Sequence, residues 1–291
     1  MLIFGKKHLI LFLIIAVALF FRTFNFQNLQ FWAEDEDLAL AFTRDMIVDH
    51  KISLVSHNYA LNAPLGSFFH VLSIPLFYFS NMNPTLVLLF MSILGVFTTI
   101  IIYKIGKLIK NETVGLLSAL FYATSFVISL ADRRWWPLSL NPLFTAIAIF
   151  SLLKILEKKY LYWIPLTATI GFAFHADPTL AIIAFASAAF LILFRAPIIN
   201  KYLIYPLIVL TIFLLPLLAF ELKHPGALKE QYFRTITAKS GKFSLTKNIT
   251  RPKNPITTIS YIFFPKTSDT VEDFLCYCHV TNLTFAPIVT M

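Results

Sequence analysis

Thr85-Leu-Val-Leu-Leu-Phe-Met-Ser-Ile-Leu-Gly-Val-Phe-Thr-Thr-Ile-Ile-Ile-Tyr103 carries no charged residue. A helix of about 20 such residues spans a hydrocarbon core of about 30 Å. Apolar runs recur at Leu9–Phe21, Pro64–Phe79, Val114–Leu130, Pro142–Leu156, Tyr160–Phe174, Thr179–Phe194 and Tyr202–Phe220. The chain is 58% hydrophobic, with 31 Phe among 291 residues and a mean hydropathy of +0.75. A soluble core could not hide that much apolar surface. These runs predict an all-α integral membrane protein, a polytopic helix bundle. The start, with Lys6 and Lys7 before an apolar run, has the outline of a secretory signal. Bulky Phe21-Arg22-Thr23-Phe24 follows instead of a small-residue cleavage site, so the run reads as a retained first helix.

Basic residues set the expected orientation. Lys6 and Lys7, Lys104 to Lys110, Lys154 to Lys159, and Arg195 with Lys201 form the basic stretches. Positive stretches stay cytoplasmic. All of them do so only if Pro64–Phe79 makes no net crossing and lies as a juxtamembrane or re-entrant helix. The N-terminus is then cytoplasmic. The outer loop 22–63, Ala131–Asn141, His175–Pro178 and Glu221–His224 then share the outer face. The expected organisation is a membrane module over 1–222 and a basic, polar, outer segment over 223–291. The net charge of +9 is dispersed between apolar runs, which argues against nucleic acid as a partner. Cys276 and Cys278 are too close for a disulfide and read as incidental.

Ionisable residues collect on that outer face. Glu34-Asp35-Glu36-Asp37 follows the first run. Carboxylates crowded beside a membrane are costly and point to a site for a cation, a proton or a phosphate-bearing ligand, or else to a solvated acidic cap. Asp37 to Asp49 reads as a short amphipathic helix with Leu38, Phe42 and Met46 on its apolar stripe and Arg44 on the face of Asp37. The next outer loop is Asp132-Arg133-Arg134-Trp135-Trp136. Arginines grip phosphate bidentately, and tryptophans suit either a membrane interface or a sugar ring. His175, Asp177, Glu221 and His224 could each bind substrate or join a divalent metal site, or serve only as interfacial polar groups. Nucleotide-loop, dinucleotide, zinc-protease and nucleophile-elbow motifs are absent from the sequence.

The order of these parts resembles the GT-C superfamily of membrane glycosyltransferases. Within it, the chain is most similar to the protein mannosyltransferase and aminoarabinose transferase group, in its dolichyl-phosphate-mannose–protein mannosyltransferase-like branch. The resemblance rests on Asp35-Glu36 with Arg44-Asp45 nine residues on, a Pro-led helix at Pro64, a basic hairpin at Lys104–Lys110, Arg133 with Trp136 three residues on, and Phe220 to His224. Asn62-Ala63 replaces the Glu-Lys pair that precedes the proline in the aminoarabinose transferases.

The resemblance implies inverting transfer of a sugar from a polyprenyl-phosphate donor to a hydroxyl acceptor at the outer face of the plasma membrane. It implies Asp35 as base with Glu36 beside it, and Arg133 with Arg134 on the donor phosphate, with Arg44 and Trp136 near the donor. Asp132, His175, Asp177, Glu221 and His224 would support the site or hold a metal ion. Membrane lipids would surround the donor's tail. Relatives continue through more helices, so the chain reads as a truncated member, and inactivity is one alternative. A lipid-linked transporter or flippase is the other; it would need charges at mid-membrane, whereas here they sit at helix ends and loops.

Overall fold

A computed structural model describes residues 6–29, 34–56, 65–176, 181–195 and 202–230. Its helices are α1 (Lys6–Thr23), α2 (Phe26–Leu29), α3 (Glu34–Val48), α4 (Phe68–Phe79), α5 (Thr85–Ile109), α6 (Glu112–Thr124), α7 (Phe126–Ala131), α8 (Asn141–Leu156), α9 (Trp163–Ala176), α10 (Ala181–Leu193) and α11 (Ile204–Lys223). Among the described residues every regular element is helical. The apolar runs thus become helices, as expected of an all-α membrane protein. Among the described residues three are long and apolar enough to cross a bilayer: Thr85–Ile109, Pro137–Leu156 (a 3-10 turn continuing into α8) and Ile204–Lys223. The apolar helices Phe68–Phe79 and Ile182–Leu193 are shorter.

Ion pairs reveal how the helices run. Lys7 of α1 and Lys107 of α5 both reach Glu112 at the start of α6, at 3.6 and 3.8 Å. At the opposite end Arg22, near the close of α1, reaches Asp132 just after α7 at 2.8 Å. So α1 leaves the lysine end and α5 returns to it. The intervening stretch, α4 included, makes no net traverse of the bundle. Trp135 touches Phe69, His70 and Phe77 of α4 at once, which sets α4 against the loop after α7. Tyr160 and Tyr202, with ring centroids 6.3 Å apart, join the α8–α9 and α10–α11 turns.

Local chemistry explains the boundaries. Asn111 caps α6, its side-chain oxygen accepting from the Val114 N–H at 3.0 Å. The apolar run 114–130 does not stay one helix. It breaks at Ser125, whose backbone is extended. Hydroxyls compete with the helical ladder there: Thr124 donates to the Leu120 carbonyl at 2.9 Å and Ser129 to the Ser125 carbonyl at 2.8 Å. The break re-aims the chain, so that the loop after α7 enters the bundle.

Two glycines let α5 and α6 approach. A Cβ on Gly106 would lie 2.8 Å from the Gly115 Cα, and one on Gly115 would lie 2.5 Å from the Tyr103 carbonyl oxygen. Small residues at a membrane helix contact permit backbones to pack closely. The main core joins α4, α5, α8 and α9 through Phe69, Phe77, Leu88, Met91, Trp135, Leu143 and Phe172. Gly115→Leu is expected to destabilise the purified protein by about 1–3 kcal/mol, the usual cost of overpacking. A fall in the thermal midpoint in detergent would show it, and an unchanged midpoint would rule out the close contact.

Candidate active site

The loop Asp132–Trp136 sends each side chain to a different element. Asp132 accepts from Arg22 Nε of α1 at 2.8 Å. Arg133 Nη2 donates to the carbonyls of Phe21 and, at 3.0 Å, Phe24. Arg134 Nε donates to Glu36 of α3 at 2.5 Å. Trp135 is 2% exposed and stacks on Phe69. The Arg134 guanidinium lies over the Trp136 ring, 4.3 Å from its centroid, a cation–π contact. One short loop therefore ties α1, α3 and α4 together.

Helix α3 turns a mixed polar and apolar stripe inward. Glu36, Ala39, Thr43 and Met46 are buried, spaced three and four residues apart on one helical face. Leu38, expected on the apolar stripe, is 53% exposed. The Glu36–Arg134 ion pair holds Glu36 inward, and Leu38, two residues on, points away from the bundle. Successive residues on a helix point about 100° apart. Asp35 is accordingly exposed at the start of α3, and Arg44 is exposed further along.

The buried charged residues among those described are Arg22, Glu36, Asp132, Arg133 and Arg134. Three guanidiniums face two carboxylates, so one positive charge is in surplus when all are ionised. Glu36 and Arg134 neutralise each other. The surplus thus falls on Arg22, Arg133 and Asp132. Burial pushes the Asp132 carboxyl up to about 6 against the opposing pull of Arg22. Burial, and then the neighbouring Arg22 charge, lower the Arg133 guanidinium below its ordinary value. It remains cationic, since arginine is not deprotonated in proteins. Nε and Nη1 of Arg133 have no hydrogen-bond partner among the described residues. Unpaired donors on a buried cation are costly and favour an anion.

The other expected site residues are placed differently. His175, 2% exposed, is held by backbone on both ring nitrogens. The Phe68 N–H donates to Nδ1 at 3.4 Å, and Nε2 meets the Phe213 carbonyl at 2.6 Å. A proton on Nε2 satisfies both contacts. Gly66 makes room for this ring, for a Cβ there would sit 1.7 Å from Nδ1. Glu221 accepts from the N–H groups of Gly226 at 2.7 Å and Leu228 at 3.0 Å. His224 packs on Phe220. Asp177 lies outside the described residues, as does 231–291. No group of three His, Cys, Asp or Glu that could hold a metal ion occurs among the described residues.

The residue that sequence reasoning missed is Arg22. An arginine closing an apolar run reads as a span boundary. The available signal was its position at the expected outer end of α1, facing the same side as Asp132. Glu36→Ala is expected to cost about 3–5 kcal/mol by taking the paired carboxylate from the buried Arg134, while Glu36→Leu with Arg134→Met should recover most of it. A thermal double-mutant cycle measures this, and additive losses would contradict a coupled pair.

Residues 62–220, more than half of the chain, match the family described as dolichyl-phosphate-mannose-protein mannosyltransferase. The matched segment contains the loop 132–136 but not the acidic cluster, which the Glu36–Arg134 pair joins to it. No curated protein and no solved structure gives a significant match. The chain belongs to the dolichyl-phosphate-mannose-protein mannosyltransferase family, membrane glycosyltransferases that draw on polyprenyl-phosphate sugar donors.

Proposed function

We propose that the chain transfers a sugar, with inversion, from a polyprenyl phosphate to a hydroxyl acceptor at the outer face of the membrane. The observation that carries this reading is the buried Arg133, two of whose nitrogens have no partner among the described residues, in a loop that the Arg134–Glu36 pair ties to the acidic start of α3. Its orientation follows the lysines. Lys7 and Lys107 gather at the end opposite the arginine loop, and positive ends stay cytoplasmic. The buried charges gather in one cluster around the loop after α7, with Arg22 and Asp132 packed against Gly95 of α5, rather than along a path through the spans, which favours transfer chemistry over transport.

Residue roles follow from exposure and pairing. Asp35 is exposed and can meet an acceptor, whereas Glu36 is committed to Arg134. As the acceptor oxygen attacks the anomeric carbon, its proton passes to the Asp35 carboxylate. The bond between that carbon and the phosphate oxygen breaks, and its electron pair leaves with the phosphate. Arg133 meets the charge that develops there, a role worth most in a water-poor site. Glu36 orients Arg134, whose guanidinium holds the half-buried Trp136, the ring suited to stack on the donor sugar. Inversion is expected of a single displacement at one carbon.

The test is transfer from polyprenyl-phosphate mannose to a hydroxyl acceptor in liposomes. Asp35→Asn is expected to lower kcat by about 10²–10⁴-fold. Its affinity for polyprenyl phosphate should stay near wild type, because the base does not hold the phosphate. Unchanged turnover would remove Asp35 from the role of base.

A further inference from the structure

Arg22 and Arg133 grip each other's surroundings. Arg133 donates to the carbonyls of Phe21 and Phe24, which flank Arg22, and Arg22 donates to Asp132, which precedes Arg133. The two side chains are 0% and 2% exposed. Arg22 uses Nε on Asp132 and Nη1 on the Ala18 carbonyl at 3.2 Å, and stacks over the Tyr122 ring. Its Nη2 has no hydrogen-bond partner among the described residues. Nε and Nη1 of Arg133 share that condition. Three unpaired nitrogens thus sit on two adjacent buried guanidiniums.

Space has been made for this arrangement. A Cβ on Gly95 of α5 would fall 2.2 Å from Asp132 Oδ2 and 2.6 Å from Arg22 Nε. The Arg22–Asp132 pair therefore lies directly on the α5 backbone. Two neighbouring guanidiniums repel, and Asp132 offsets only one of them. An anion between them restores balance and supplies acceptors to unpaired donors.

We propose that Arg22 and Arg133 together form a two-arginine site for a phosphate ester, with Asp132 as the latch that orients Arg22. Arg22 then acts beside Arg133 in binding the phosphate. The site rests on the glycosyltransferase reading only for the identity of the anion, the phosphate of a polyprenyl carrier. A phosphodiester donor carries one negative charge and the departing monoester up to two. Two guanidiniums therefore favour the charge that builds up as the sugar leaves.

The experiment titrates polyprenyl monophosphate into the full chain in nanodiscs, with the polyprenyl alcohol as the phosphate-free control. Neutral and anionic phospholipid discs separate the carrier's phosphate from bulk headgroups. Arg22→Gln combined with Asp132→Asn removes one charge of each sign, so the net charge is unchanged and a hydrogen-bonding pair remains. Affinity is expected to fall about 10- to 100-fold, the effect of a lost charged hydrogen bond. Asp132→Asn alone is expected to bind at least as tightly as wild type. Wild-type affinity in the double variant would overturn the role of Arg22. Should that variant fail to fold, Arg22→Lys replaces it. Lysine keeps the charge beside Asp132 but loses the second donor, so weaker binding is expected and unchanged binding overturns the proposal. A wild-type chain that binds the alcohol as well as the phosphate would instead overturn the carrier-phosphate reading itself.

Discussion

The Arg134–Glu36 pair, 2.5 Å apart and almost wholly buried, is the contact on which the site's geometry depends. Its two partners lie 98 positions apart in the chain. Either charge alone would be expensive in an apolar bundle. Together they bring the acidic helix onto the arginine loop and decide which face of α3 turns inward. Buried pairs of this kind add little net stability compared with apolar packing. Their effect here is on placement: Glu36 goes in, Asp35 stays out, and Trp136 lies against the same guanidinium.

A second pair, Arg22–Asp132, repeats the device on the other side of the loop. The two pairs differ in one respect. Arg134 is balanced by Glu36, whereas Asp132 must offset both Arg22 and Arg133. The loop is thus locked at Asp132, Arg134 and Trp135, while the charge of Arg133 is left over between them. Locking of this sort fits a site that meets charge only as a bond breaks, because a fixed dipole or cation needs no reorganisation at that moment. The rigid apolar helices around it supply a low-dielectric surrounding that makes each such contact stronger.

Much of this was legible in the sequence, for identifiable reasons. Apolar runs reported the helices because backbone in lipid must satisfy itself. The lysines marked one end, and Asp132–Trp136 stood out as charge and tryptophan between two spans. Less was legible where packing decides. Nothing in Asp35-Glu36 says which acid turns inward, since neighbours on a helix differ only by rotation. Leu38 and Met46 share the apolar spacing, yet Met46 is buried and Leu38 faces away from the bundle, a division that spacing alone does not show. The break at Ser125 sits inside an unbroken apolar run, where hydroxyl competition is visible only once the loop's destination is known. Arg22 was hidden for a similar reason: its partner lies 110 positions away.

The most direct test asks which guanidinium touches the carrier phosphate. Protein with 15N-labelled arginine side chains, in bilayers with polyprenyl phosphate, would be examined by 31P–15N dipolar recoupling. The account predicts phosphorus-dependent dephasing that is weakened in Arg133→Lys, where Arg22 alone remains beside the phosphate, and is unchanged in Arg134→Lys. Dephasing at full strength in Arg133→Lys and lost in Arg134→Lys would contradict it, because Arg134 would then be the phosphate ligand.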